Sequence, residues 1–168
     1  MLAFLPAGDG DFEELARTSK LAFDDDVNHG ARSAGGPFGY DSPVWFLRAE
    51  LWGARLYKIV KGGTIIGGIV IEPDPLHNRR TWYLSRLWIV PEYQNRGIGK
   101  QAEAFVESAI PAARLWRLET PAYNKRNQHF YERLGYRRVG TRAGMVLYDK
   151  RVQHPPQAQH PSRNTGPR

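Results

Sequence analysis

The 168-residue chain contains no cysteine, which excludes disulfides, a thiol nucleophile and thiolate metal sites and leaves the redox compartment open. Its five histidines, His29, His77, His129, His154 and His160, show no ligand-pair spacing on one helix, so no metal is expected. No apolar run approaches the roughly 20 residues of a membrane span, and the first residues lack the basic start and long apolar run of a signal peptide. The expectation is a soluble, cytoplasmic protein without a membrane partner. Acidic residues are outnumbered, 17 Asp and Glu against 24 Lys and Arg, a net charge of +7. That balance favours an anionic partner such as a nucleotide, a nucleic acid or an acidic surface. Nucleic acid is not expected, because a reading motif and an aromatic-basic stripe are both missing. There is no internal repeat.

What is present reads as one domain over residues 1–152, followed by a tail, 153–168, of Gln, His, Pro, Ser, Asn and Arg without apolar period and therefore expected to be disordered. Leu2 to Leu5 is a short strand. Asp11 and Glu14 resemble a capping box that opens a helix with Phe12, Leu15, Ala16, Ser19 and Phe23 on one face and the acidic run Asp24 to Asp26 at its end. Asn28 to Asp41 is a Gly-, Pro-, Ser- and Asn-rich loop. Ser42-Pro43 then starts a second helix whose apolar face is expected from Val44, Leu47 and Leu51, with Trp45, Phe46 and Trp52 adding bulk. Arg55 to Val60 and Thr64 to Glu72 flank Lys61-Gly62-Gly63 as an antiparallel hairpin, and Thr81 to Val90 reads as a neighbouring strand. Ile98, Ala102, Phe105, Val106 and Ala109 mark a helical face, and Leu115 to Thr120 follows as a strand parallel to the one before it. A helix from about Asn124 to Leu134 with Gly135 at its stop, then strands Tyr136 to Val139 and Met145 to Lys150, complete the chain.

The stretch YQNRGIGK, Tyr93 to Lys100, joins a strand to a helix. Backbone N–H groups at a helix N-terminus bind phosphate without a dedicated side chain, and glycines let the anion approach. A Walker loop is excluded, because Gln101 follows Gly99-Lys100 where Ser or Thr is required. The dinucleotide fingerprint G-x-G-x-x-A fits Gly97, Gly99 and Ala102, with Glu119 at the position of a ribose-binding acid. However, six residues separate Val90 from Gly97, and the remaining chain is too short for a doubly wound sheet.

Leu87-x-Ile89-x-Pro91-Glu92-Tyr93-Gln94-x-x-Gly97-x-Gly99, followed by Asn124-x-x-Asn127-x-x-Phe130-Tyr131-x-x-Leu134-Gly135-Tyr136, resembles the GNAT N-acetyltransferase superfamily over roughly Leu2 to Lys150. The resemblance implies an α/β fold, a GNAT-like mixed and mostly antiparallel sheet of roughly six or seven strands with a splayed parallel pair, flanked by about four helices. It implies acetyl-CoA as co-substrate. The pyrophosphate is expected on Gln94, Asn95, Arg96, Gly97, Ile98, Gly99 and Lys100, and the pantetheine arm along Leu87, Trp88, Ile89 and Val90. Asn124, Asn127 and Tyr131 are expected beside that arm, and family members are often homodimers.

Acetyl transfer to an amine needs a neutral amine, a stabilised oxyanion and a protonated leaving thiolate. Tyr131 matches the family's proton donor, although a phenol pKa near 10 against a thiol near 8.5 makes donation uphill by roughly 2 kcal/mol unless it is concerted. Backbone N–H at Leu87 or Ile89 is the expected oxyanion donor. Many relatives carry a glutamate two positions before the leucine of the strand motif, where this chain has Ser85; the base is then Glu72, Glu119 or a water relay. Asp24 to Asp26, with Phe38, Tyr40, Trp45 and Phe46, could hold a cationic amine. Two functions follow: acetyl transfer to a primary amine of a small molecule or protein, or a coenzyme-A-binding domain without chemistry.

Overall fold

The computed structural model describes residues 1–74, 76 and 80–152. β1 (Leu2–Pro6) leads through a 3-10 turn into α1 (Phe12–Asp24), and a second 3-10 turn, Asp25–His29, precedes the loop to α2 (Pro43–Leu51). β2 (Arg55–Lys61), β3 (Thr64–Pro73) and β4 (Thr81–Ile89) follow, then α3 (Ile98–Ala109), β5 (Leu115–Pro121), α4 (Lys125–Arg133), β6 (Arg137–Arg142) and β7 (Met145–Arg151). The strands form one sheet in the order β1-β2-β3-β4-β5-β7-β6. All neighbours are antiparallel except β4 and β5. The anticipated mixed sheet of seven strands and four helices is therefore present.

Alternation along the strands gives the sheet two buried faces. Ile69 and Ile71 pack with Ile98, Ala102 and Val106 of α3, whereas Val70 and Trp88 pack with Leu15 of α1 and Phe46 of α2. Glycine decides one contact here. A Cβ at Gly68 would stand 2.3 Å from the Trp88 ring, so the indole lies over β3 only because that position is bare, and its Nε1 donates to Thr18 Oγ1 at 3.1 Å.

β4 and β5 pair at only three positions, Thr81↔Leu115, Trp82↔Trp116 and Tyr83↔Arg117. Just beyond, β4 carries a bulge: Val70↔Arg86 is followed by Ile71↔Leu84, which leaves Ser85 without a counterpart on β3. A bulge bends and twists its strand. From Leu84 onward β4 stays with β3 and leaves β5, which opens the sheet.

Two local expectations are corrected. Asp11 does not form a capping box with Glu14, because a 3-10 turn at Asp9–Asp11 precedes α1. The Asp11 carboxylate instead accepts from Lys58 Nζ at 2.7 Å and from the Gly8 N–H at 3.0 Å, and Glu14 pairs with Arg17. In α2 the buried residues are Phe46 and Ala49, whereas Val44, Leu47 and Leu51 are exposed. The larger aromatic surface wins the core: Phe46 lies 5.7 Å from Trp88 and 6.4 Å from Phe12, ring centre to ring centre. The expected tail, 153–168, lies outside the described residues. Among the described residues no helix is long and apolar enough to cross a membrane, and no group of three or more His, Asp or Glu is placed to hold a metal ion.

Candidate active site

The divergence of β4 from β5 opens onto a cavity of about 640 Å³. β4 gives it Leu87, Trp88 and Ile89; the loop before α3 gives Gln94, Asn95, Gly97, Gly99 and Lys100. From α4 come Arg126, Asn127, Phe130 and Tyr131, and from the α1 end Phe23 and Asp26. Ten of the expected coenzyme residues thus meet around one space. Val90, Arg96, Ile98 and Asn124 do not line it. Val90 and Ile98 point into the core, and Arg96 is exposed with its guanidinium 5.4 Å from the Tyr93 ring centre.

The loop presents backbone amides. Gly97 is the N-cap of α3 in a left-handed conformation, φ 75°, and no side chain caps that end. The first hydrogen bond into the helix is Gln101 N–H to Gly97 O at 3.3 Å, so the Ile98, Gly99 and Lys100 N–H groups have no intrahelical acceptor. A Cβ at Gly97 would meet nothing within 4 Å; the space in front of these amides is open. Lys100, Arg126 and Arg133 add positive charge around the cavity. The Gln94 side chain is consumed in holding the loop, its Nε2 donating to Ile89 O at 2.8 Å and its Oε1 accepting from Arg126 at 2.7 Å. Its part at the cavity is therefore structural rather than that of a free ligand.

The edge of β4 is a second element. Val90 N–H donates to Ile66 O on the β3 side, and successive strand amides point to opposite edges, so those of Leu87 and Ile89 face the gap toward β5. Ile89 O is taken by Gln94. Among the described residues, the N–H and C=O of Leu87 face the gap without a strand partner.

Tyr131 lines the cavity and packs edge-on against Phe130 and Tyr136 at 5.1 and 5.6 Å. Burial, aided by the Glu103 charge, pushes its phenol well above the usual tyrosine value, so it is a fully protonated donor. Asn124 is completely buried and caps α4: its Oδ1 accepts from Asn127 N–H at 3.0 Å while its Nδ2 donates to Asp26 Oδ1 at 3.0 Å.

The carboxylates fall differently from expectation. Glu119 does not reach the cavity. It is exposed on the opposite face of β5 and pairs with Arg142 at 3.4 Å, because on β5 only Trp116, Leu118 and Thr120 point inward. Glu72, at the end of β3, is half-buried and does not line the cavity; its charge acts on Arg86. Asp26 is the carboxylate that does line it, 7% exposed and bonded to Asn124 and, at 3.4 Å, to Tyr123 Oη. Burial raises its pKa against the lowering effect of these donors and of Arg126. The acidic run Asp24 to Asp26 marked this residue for amine binding, but not its tie to Asn124, which joins positions 98 apart in the chain. Asp24 and Asp25 instead pair locally with Lys20 and His29. Arg126 and Arg133 were also missed; their i, i+7 spacing places them on one stripe of α4 and was a legible signal.

Comparison with known proteins follows this geometry. Residues 22–136 match the sequence model of the acetyltransferase (GNAT) family. The uncharacterized protein YrkN of Bacillus subtilis (strain 168) is 35% identical over 79 residues, 47% of this chain and 42% of that protein; the chain spans less than half of that relative in the match. The structure of an acetyltransferase from Thermus thermophilus superposes with a TM-score of 0.74 at 19% identity, over 90% of this chain and 97% of that one. The PaiA N-acetyltransferase of Thermoplasma acidophilum, solved in complex with coenzyme A, gives 0.76 at 17% identity over 90% and 99%. At such identities the structural likeness speaks for the fold, and the family match spans most of the chain. This chain belongs to the acetyltransferase (GNAT) family.

Proposed function

We propose that the protein transfers the acetyl group of acetyl-CoA to a primary amine. The observation that carries this reading is the convergence, in one cavity, of an uncapped glycine-opened helix N-terminus, an unpaired strand edge, a half-buried tyrosine and a buried carboxylate. The donor, when bound, supplies a thioester carbonyl already activated toward amines. The Ile98, Gly99 and Lys100 amides hold its pyrophosphate, with Lys100 and Arg126 offsetting the charge. The edge of β4 at Leu87 pairs with its amide-bearing arm as a further strand would. Leu87 N–H is positioned to donate to an oxyanion in that gap.

Asp26 takes the proton that the attacking ammonium must lose. Its raised pKa makes it a stronger base than an ordinary carboxylate, and the Asn124 and Tyr123 donors orient it. Tyr131 gives its phenol proton to the departing sulfur. Because burial raises that phenol further above a thiol, donation is concerted with cleavage rather than a separate uphill step. A coenzyme-binding domain without chemistry was motivated by Ser85 standing where a glutamate is common; Asp26 supplies a carboxylate from another element.

The test is the thermal midpoint of the protein with and without acetyl-CoA, repeated for Gly97→Glu. Ligand at 100-fold over Kd adds about 2.7 kcal/mol, which for a domain of this size is a shift of roughly 5 to 11 °C. The shift is expected in the wild type and absent in the variant, whose carboxylate enters the open space before the α3 amides. No shift in the wild type removes the donor from this reading.

A further inference from the structure

Arg86 is a buried cation that the donor reading leaves unused. It is 6% exposed, and no carboxylate stands in ion-pair contact with it among the described residues. Its guanidinium lies 3.4 Å from the Trp45 ring centre, Nη2 donates to the Phe38 carbonyl at 2.5 Å, and Nη1 is buried with no hydrogen-bond partner. Burial lowers its pKa to about 10, which leaves it charged at neutral pH. The Glu72 charge reaches it only from beyond ion-pair contact, and a buried guanidinium with no ion-pair partner is unfavourable on its own account.

Its place in the fold gives that cation a use. Arg86 and Trp88 point to the same face of β4, so their Cα atoms are separated by about one pleat repeat, roughly 7 Å, and Trp88 lines the cavity beside Asp26. The loop over Arg86 reaches the same wall. Phe38 O contacts Arg86, Gly39 packs on Trp45, and Tyr40 lies edge-on to the cavity residue Phe23 at 6.0 Å. Within this loop Gly39 has φ 72°, and the Phe38 side chain is 88% exposed, so few side-chain contacts hold Phe38 in place.

We propose that Arg86 binds an anionic group of the acceptor, so that the substrate is a compact amine carrying a carboxylate or phosphate a few bonds from its nitrogen. This rests on the acetyltransfer reading. The amine lies at Asp26, and the anion takes Nη1 as residues 38 and 39 swing aside. A guanidinium offers paired N–H donors matched to either oxyanion, while Asp26 offers the opposite charge on the cavity wall that Trp88, two positions along β4 from Arg86, also lines. The two ends of the site therefore favour a molecule with both charges over a simple alkylamine.

The experiment compares acetylation of β-alanine, 4-aminobutyrate and 2-aminoethyl phosphate with that of propylamine and butylamine, in the wild type and in Arg86→Gln. Binding of the same amines to the CoA-loaded protein is measured by calorimetry. The wild type is expected to prefer the anionic amines. Arg86→Gln is expected to raise their KM roughly ten- to hundredfold, the loss of a charged hydrogen bond, while KM for the neutral amines and the acetyl-CoA thermal shift stay unchanged. The carboxylate and phosphate arms identify which anion is preferred. Equal losses for charged and neutral amines overturn the proposal and leave Arg86 as an anchor for the loop. So does the absence of both turnover and binding for every anionic amine when acetyl-CoA still shifts the midpoint. Loss of that shift in the wild type would instead strike the donor reading itself.

Discussion

Replacing Asp26 with Asn separates the catalytic and structural effects of one carboxylate, because the two are expected to move in opposite directions. Asp26 is ionisable, 7% exposed and faced by Asn124, Tyr123, Arg126 and His29. Desolvation is the largest influence on its pKa and outweighs every donor around it. The folded-state pKa therefore lies above the unfolded value near 3.9. Below that value the residue is neutral in both states. As pH rises the unfolded chain ionises first, and the native state loses stability until the folded-state pKa is passed, after which the loss stays constant. Each pH unit of separation is worth about 1.4 kcal/mol, or roughly 3 to 6 °C in a domain of this size.

Asn at position 26 removes that loss and keeps an acceptor for Asn124 Nδ2, forfeiting about 1 kcal/mol as a charged bond becomes neutral. The net expectation is a variant whose melting point gains on the wild type between about pH 4 and neutrality. Its kcat/KM should fall about 10²- to 10⁴-fold, the usual contribution of a positioned base. The wild-type pH profile should rise as Asp26 deprotonates, above the ordinary carboxylate range, and the variant should lack that limb while keeping the rise that belongs to the acceptor ammonium. The assays are thermal melts across pH and steady-state kinetics with one responsive amine. An unchanged acid limb in the variant, or a melting point that drops further behind the wild type as pH rises, refutes the reasoning.

Tyr131→Phe removes the proton donor but little volume, so kcat should fall about 10²- to 10⁴-fold with the calorimetric Kd for acetyl-CoA unchanged; full turnover would remove Tyr131 from the chemistry. Gly68→Ala places a methyl where 2.3 Å separates it from the Trp88 ring, overpacking expected to cost about 1 to 3 kcal/mol, roughly 2 to 12 °C in melting point. A melting point within about a degree of the wild type would mean that Trp88 is not held by that contact.

The parts of this molecule that were legible in the sequence are those whose cause is local. Ile98, Ala102 and Val106 announce α3 because their spacing is the helix repeat, and Gly97 announces the turn into it because a left-handed cap favours glycine. Tyr131, Asn127 and the β4 segment follow from the same periodicities and from the resemblance that they carry. The α2 face failed because two stripes compete within nine residues, and helical spacing alone does not weigh Phe46 against Leu47. Asp11 failed because its partner, Lys58, is 47 residues away.

Distance along the chain also explains the two residues on which the proposed chemistry turns. Asp26 is oriented by Asn124 while burial raises its pKa, and Arg86 becomes a buried cation without an ion-pair contact only under Trp45 and Phe38. Neither property exists in any window of sequence. The bulge at Ser85 and Gly68 shape the β4 wall: the bulge turns β4 away from β5, and the bare glycine lets the cavity residue Trp88, two positions from Arg86, follow β3. The gap proposed to receive the donor and the buried face that holds Arg86 are thus two sides of one departure of β4. Ser85, where a relative's glutamate would stand, is part of that bulge. If acid–base chemistry has moved from β4 to the end of α1, the loss of the strand carboxylate and the presence of Asp26 are a single change, and restoring a carboxylate with Ser85→Glu in the Asp26→Asn background should recover part of the lost kcat/KM. Rescue would show that position 85 still faces the reacting amine; its absence would show that the bulge has turned that position away.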